Sequence, residues 1–350
     1  MRHFIRSVST MLFVLALAAG ALAQAPAAAA PSGPPLALNA DFKVVNRFPV
    51  PGEGNWDYIS IDSAARRLYV SHGDLIQVLD ADSGKLVGQV AAPGAHGVAL
   101  VPELNRGFTS NGRDKSVTIF DTKTLQPVKT VKVEPGVDNI FYEPASKRVF
   151  ALAEKATVLD AASGDVVGSI DFGGDSEGAV TDGKGTLYVA LAKEGAIAVI
   201  DPKTLAITKR YPTEPCKSPH TLQWEATNQQ LLVGCANNFV VMDATTGKLV
   251  TAGLQCAGVD AGAYDPESKL AFESCSEGVI TIVKQMTPHN WRTIATIPTQ
   301  MWAKTMAFDA KTKKIYLPTA QFEFFANADA TKPPDRRWKP GTFTVLVVSR

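Results

Sequence analysis

From residue 42 to the end of the chain, short alternating apolar–polar runs rich in β-branched residues are cut by Gly, Asp, Asn and Pro. Period-two alternation bounded by turn residues predicts half-buried strands rather than helices. One unit recurs. Its first copy reads DYISID, RRLYVSHGD, LIQVLD, ADSGKLVGQV, four strand-length segments in a row. The second segment carries a large apolar anchor at Tyr69, Phe108, Phe150, Tyr188, Leu232, Phe272 and Tyr316, at intervals of 39, 42, 38, 44, 40 and 44. Seven units of about forty residues, each holding four strands, predict an all-β, seven-bladed β-propeller with four-stranded blades.

Two further patterns support this. The third segment ends in a repeated Asp-turn: Asp80-Ala-Asp-Ser-Gly, Asp121-Thr-Lys-Thr-Leu, Asp160-Ala-Ala-Ser-Gly, Asp201-Pro-Lys-Thr-Leu and Asp243-Ala-Thr-Thr-Gly. Asp at such a place accepts hydrogen bonds from amides two and three residues on, so a structural role suffices for these aspartates. The last unit has only three strands (TMAFDA, KIYLPTA, TFTVLVVS), while FKVVNRFPV at 42–50 is a strand without a blade. Pairing the two closes the ring and leaves no free sheet edge between first and last blade.

The N-terminus has the layout of a secretory signal: Arg2 and Arg6, the apolar run MLFVLALAA, then Ala21-Leu22-Ala23. The expected divisions are a signal peptide at 1–23, an Ala/Pro-rich tether at 24–41 and the propeller at 42–350. A periplasmic or extracellular location and no membrane span after cleavage follow, since the apolar run is shorter than a bilayer needs. Without Arg2 and Arg6, 33 basic residues face 34 acidic ones, and no basic stripe suggests nucleic acid. The KTKK run at 311–314 reads as a solvated turn. A monomer is expected, its partner being an unidentified small molecule or exported protein.

The Tyr-Val step followed by Val-x-Val-x-Asp, clearest in Leu68–Asp80 and Leu187–Asp201, resembles the YVTN-repeat propellers, the YncE-like or surface-layer-like exported proteins of bacteria. The resemblance covers about residues 42 to 350. It implies the fold and export, and little about activity. The Gly-His and Trp-Asp pairs of WD40 arrays do not recur; Trp56-Asp57 stands alone. Some related propellers serve quinone-linked amine oxidation, but no Cys-x-x-Cys-His haem site is present and no cofactor is predicted.

Cys216, Cys235, Cys256 and Cys275 repeat at spacings of 19, 21 and 19. Cys235 and Cys275 each follow their anchor by three residues, and Cys216 and Cys256 each precede it by sixteen. The start of an inner strand adjoins the end of its antiparallel neighbour, which favours Cys216–Cys235 and Cys256–Cys275 over a bridge between blades such as Cys235–Cys256. An exported location permits both. No close Cys-x-x-Cys pair points to zinc.

Counting back twelve residues from each anchor reaches the start of each inner strand: Asp57, His96, Asp138, Ser176 (with Glu177 beside it), His220, Asp260 and Lys304. Every position is polar. His72 maps to the same face of the ring, and of the four histidines past the signal only His289 does not. Three readings compete: a solvated rim, a binding site for a polar small molecule or peptide, and a catalytic or metal site of hydrolase or lyase type, lactonase-like or metal-assisted. His96 and His220 fall on nearly opposite blades, so no metal shared by them is predicted. Asp57 with His72 or His96, and His220 with Asp260, are the adjacent pairs expected to meet. No G-x-S-x-G or Walker signature accompanies them. Trp56 and Trp302 precede ring positions and could stack on a ring-bearing ligand, whereas Trp224 reads as core.

One connection is long. Gln321 to Gly341 (QFEFFANADATKPPDRRWKPG) separates the second and third strands of the last blade, where other blades use a few residues. Loops of this length without secondary structure are uncommon unless functional or disordered. Its aromatic residues suggest a segment folded over the channel mouth, with Arg336 or Arg337 supplying positive charge opposite the aspartates and Trp338 lying beside the ring.

Overall fold

Seven four-stranded antiparallel sheets, arranged in sequence order, make up the ring in the computed structural model, which describes residues 41–134, 136–326 and 335–350. Six blades are built from consecutive strands. The first comprises Ile59–Asp62, Arg67–His72, Leu75–Asp80 and Leu86–Ala91, and the sixth runs from Val259–Asp265 to Asn290–Pro298. The seventh is closed as expected. Its sheet orders Lys43–Pro49, Thr344–Ser349, Lys314–Thr319 and Ala307–Asp309, with Lys43 opposite Ser349 and Pro49 opposite Thr344. The N-terminal strand thus occupies the outer edge of the last blade. The signal and tether divisions at 1–23 and 24–41 lie outside the described residues except for Asp41.

Burial follows strand position. Second and third strands lie between neighbouring blades and are buried along nearly their whole length, as in Arg67–His72 and Ser116–Asp121. Outer strands such as Val166–Asp171 keep one face in water and alternate. All seven anchors are buried, from Tyr69, Phe108 and Tyr316 at 1 % exposure or less to Tyr188 at 5 %. Burying a large apolar side chain contributes roughly 1.5–3 kcal/mol, so each blade brings its own share of core.

The Asp-turns are structural, and the contacts say how. Asp80 Oδ1 accepts from the amides of Asp82 and Ser83, Asp121 from Lys123 and Thr124, Asp160 from Ala162 and Ser163, Asp201 from Lys203 and Thr204, and Asp243 from Thr245 and Thr246. The carbonyls just beyond these aspartates face the preceding blade. Arg67 donates to Thr122 O, Arg106 to Ala162 O and Arg148 to Pro202 O. The basic residue opening a second strand therefore fastens one blade to the next. Between the first and last blades the tie is an ion pair, Arg66 to the fully buried Asp309 side chain at 2.5 Å.

Both expected disulfides are present, Cys216–Cys235 and Cys256–Cys275, with Cα atoms 5.6 and 5.9 Å apart. Each joins the approach to an inner strand to the end of the second strand in blades five and six. Among the described residues no helix is long and apolar enough to cross a membrane.

Candidate functional site

The inner strands deliver their first residues to one end of the channel, and most of the ring positions meet there. His96 Nδ1 lies 2.8 Å from Asp57 Oδ2 and 2.9 Å from Asp138 Oδ1. Lys304 Nζ is 2.6 Å from Asp260 Oδ2 and 4.0 Å from Asp57 Oδ1. A chain of alternating charge, Asp138–His96–Asp57–Lys304–Asp260, thereby links blades three, two, one, seven and six. On the opposite arc His220 Nε2 is 3.8 Å from Glu177 Oε1, while its Nδ1 lies 3.0 Å from Ser218 O.

Backbone contacts fix these side chains in place. The Asp57 amide donates to Ser71 Oγ, and its carbonyl accepts from Thr305 Oγ1. The amide of Tyr58 donates to His96 O, coupling the first two blades beside their side-chain contact. Gly112 makes room for the imidazole, since a Cβ there would lie 2.5 Å from His96 Nε2.

The electrostatics follow from this crowding. Hydrogen bonds to Asp138 and Asp57 raise His96 to about 10, so the imidazole is held as a cation. Burial raises Asp57 even against that cation, and burial pushes Glu177 up to about 7. Burial pulls Lys304 down, but the carboxylates of Asp260 and Asp57 outweigh it and keep its ammonium above the ordinary value. Tyr58, which follows Asp57 in the chain, shares this environment. Its hydroxyl is driven well above its ordinary value by burial and by Asp260, Asp57, Asp138 and Glu177.

Asp57 thus meets one of its two expected partners, His96. His72 does not meet Asp57. It is buried at 3 % exposure, stacks on Phe343 with centroids 4.0 Å apart, and bonds through Nδ1 to Gln77 Oε1 at 2.8 Å. The Gln77 amide donates to Pro51 O, which orients its oxygen toward the imidazole, and burial lowers the affinity of His72 for a second proton. Nor does His220 take Asp260, because Lys304 already does.

The long connection of the last blade has structure of its own. Phe322–Phe325 pairs with Asp335–Trp338 as a two-stranded antiparallel ribbon, in contrast to the loop expected from sequence. The ribbon lies against the ring. Phe322 is 6.0 Å from Trp56 and 6.3 Å from Trp302 between ring centroids, Trp338 is 6.4 Å from Trp56, and the Arg336 guanidinium sits 3.9 Å from the Trp302 centroid. Its return is tied down where the Gly341 amide donates to Glu53 Oε1 at 3.0 Å.

Ribbon, ring and the glycine-rich 51–55 segment together enclose a cleft of about 820 Å³, lined by Asp57, His96, Lys304, Trp56, Trp302 and Trp338 among others. His72 and Arg336 also line it, whereas Asp138, Glu177, His220 and Asp260 belong to the ring outside it. Glu53, Asp74 and Arg113 line the cleft too. Asp74 and Arg113 each follow their anchor by five residues, a repeated position that the count back from the anchors does not reach, and Glu53 precedes the first blade, where only the glycines of Pro51-Gly52-Glu53-Gly54 signal a special segment.

No family model matches the chain, and no curated protein matches its sequence. Solved structures do match in shape. A chain in the crystal structure of the mitotic checkpoint complex superposes with a TM-score of 0.71 at 11 % identity, covering 87 % of this chain and 94 % of its own. The structure of U3-55K gives 0.70 at 10 % identity, covering 91 % and 100 %. A chain of Kuenenia stuttgartiensis hydrazine synthase gives 0.65 at 16 % identity, covering 83 % and 98 %. The chain is a seven-bladed β-propeller of WD40-like shape. At these identities the likeness speaks for the fold and leaves chemistry to the propeller's own residues.

Those residues allow two arrangements at the ring. Ligand atoms of Asp57, His96 and Asp138 all lie within 4.8 Å of one another, a spacing that a small metal ion could bridge. With a proton on Nδ1 the same three form a carboxylate–imidazolium–carboxylate bridge. Neither arrangement presents an oriented Ser or Cys nucleophile.

Proposed function

We propose that this chain is an exported propeller of the YVTN-repeat kind that binds a small molecule in the cleft between its channel mouth and the ribbon of the last blade. The observation that carries the reading is the cleft itself. Its volume suits a small ligand, its aromatic residues come from two blades and the ribbon, and its charged residues come from the ring (Asp57, His96, Lys304), from the segments beside it (Glu53, Asp74, Arg113) and from the ribbon (Arg336). Two disulfides suit an oxidising compartment outside the cytoplasm. A binding rather than catalytic role is favoured by the commitments already made at the ring. The proton of His96 is held between two carboxylates, and Lys304 is paired with Asp260.

The test is to replace residues 323–339 with a short Gly-Ser turn and screen both proteins against a metabolite library by thermal shift. Hits on the parent protein that vanish in the shortened one, with its own melting temperature within a few degrees, support the reading. Hits retained unchanged refute it.

A hydrolase or lyase acting at the same mouth is the second reading, and the Asp57–His96–Asp138 spacing is what favours it. Metal stoichiometry of the purified protein, with a screen of lactones and esters on the parent and on an Asp57→Ala/His96→Ala double variant, separates the two. Turnover that the double variant loses would make the propeller an enzyme.

A further inference from the structure

The charges around the cleft do not balance uniformly. Asp57 is engaged by His96 and Lys304, and Asp74 by Arg113 at 2.5 Å and by the Gly94 amide at 2.8 Å. Glu53 accepts from the Gly341 amide. Each carboxylate facing the cleft therefore has a donor or a cation. Arg336 differs. Its guanidinium stacks on Trp302, and no carboxylate is set against it among the described residues.

Stacking occupies the face of a guanidinium and leaves its in-plane N–H fork free, the geometry that accepts a carboxylate through two parallel hydrogen bonds. The Lys304 ammonium lies 5.8 Å from the same Trp302 ring, so a second cation stands near that end of the cleft. Close by, Trp56, Trp338 and Phe322 supply aromatic surface, and Trp338 remains 39 % exposed. An exposed aromatic edge beside an unpaired fork suits a ring with an acid attached to it. A neutral sugar would leave the fork without an anion, and an amine would meet Arg336 and Lys304 as like charges.

We propose that the ligand is a small ring compound bearing a carboxylate, its ring against Trp56 and Trp338 and its carboxylate on the Arg336 fork. This rests on reading the cleft as a ligand site, and the experiment separates the two ideas. Benzoate, benzamide and benzylamine, with glucuronate and glucose, are titrated into the full-length protein while the indole N–H resonances of Trp56, Trp302 and Trp338 are followed by NMR. The aromatic and sugar arms tell which ring the cleft prefers.

At least one acid should shift those resonances and bind at least tenfold more tightly than its neutral counterpart. Arg336→Gln should erase that preference, weakening the acid about tenfold to a hundredfold, as loss of a charge-assisted hydrogen bond implies. Its melting temperature should not change, because Arg336 is at the surface. Acids and neutral compounds binding alike, benzylamine binding best, or Arg336→Gln keeping the preference would each overturn the acid assignment and leave the cleft as a site. Silence of all five compounds would also overturn it; the fate of the cleft then rests on the library comparison with the shortened ribbon.

Discussion

His96 Nδ1 lies 2.8 Å from Asp57 Oδ2, so an imidazole from the second blade closes onto a carboxylate from the first. Asp138 of the third blade holds the same nitrogen, and together they raise His96 from 6.5 to about 10. The folded protein thus binds this proton more tightly than the unfolded chain does. Stability from the bridge is fully present below about pH 6.5 and is lost as pH rises through 10. His96→Gln should lower the melting temperature by a few degrees at pH 6 and hardly at all at pH 10.5. Equal losses at both pH values would show that the imidazole contributes packing alone. Should a metal replace the proton, the parent protein would instead lose stability with chelator at pH 7.

The two disulfides each close a loop of nineteen residues within one blade. In the chain-entropy account such loops stabilise by roughly 3 kcal/mol each. Reduction should lower the melting temperature and leave the far-UV circular dichroism of the folded protein intact, since every blade keeps its buried anchor. Non-reducing peptide mapping should recover Cys216 with Cys235 and Cys256 with Cys275. Free thiols, or a Cys235–Cys256 peptide, would contradict the pairing.

What could be read from sequence divides along physical lines. Blade number, closure and disulfide pairing were legible because each depends on a feature repeated at fixed register: anchors from Tyr69 to Tyr316, strand-sized alternation at 42–50, and cysteines at equal offsets. The ring positions were legible for the same reason, as His96 and Asp57 show. Partner choice within the ring was not. Whether His220 meets Glu177 or Asp260 depends on how far the channel contracts and on where the long Lys304 side chain reaches. His72 looked like a rim residue because periodicity places it on the right face, yet Phe343, 271 residues further along the chain, covers its ring. The cleft residues Asp74 and Arg113 sit in the turn five residues past their anchors, and Glu53 in a segment that follows no repeat, so a count back from the anchors passes over all three.

Closure by the N-terminal strand makes a sharp prediction about truncation. Lys43–Pro49 pairs along its length with Thr344–Ser349, and Phe42 packs edge-on to Phe272 at 5.3 Å. Removing 24–38 should leave the melting temperature unchanged. Removing 24–51 should expose the backbone edge of Thr344–Ser349 and cause association through it. Size-exclusion chromatography with light scattering would detect the difference, and identical behaviour of the two truncations would rule out a sealing role.

The last prediction concerns an acid buried away from the cleft. Glu273 occupies the position after the anchor in blade six, where other blades carry Val70, Thr109, Ala151, Val189, Val233 and Leu317. It is 2 % exposed, and its carboxylate accepts from Thr221 Oγ1 of blade five at 2.8 Å. Two glycines make its niche: a Cβ on Gly234 or Gly262 would fall 2.7 or 2.6 Å from Oε2. Burial pushes Glu273 up to about 8, against hydrogen bonds from Thr221 and Gln223. The unfolded chain releases this proton near the ordinary value of 4.5 and the folded one near 8, so stability should fall as pH rises across that window and level off above it. Glu273→Gln keeps the shape of the side chain and removes the titration. Its melting temperature should match the parent at pH 4.5 and exceed it at pH 9, while Gly262→Ala should destabilise at both because the added methyl meets the carboxylate. Thermal melts followed by circular dichroism from pH 4.5 to 9 test this directly. Parallel curves for the parent and Glu273→Gln would mean that Glu273 is ionised throughout, compensated by the hydroxyl of Thr221 and the amide of Gln223.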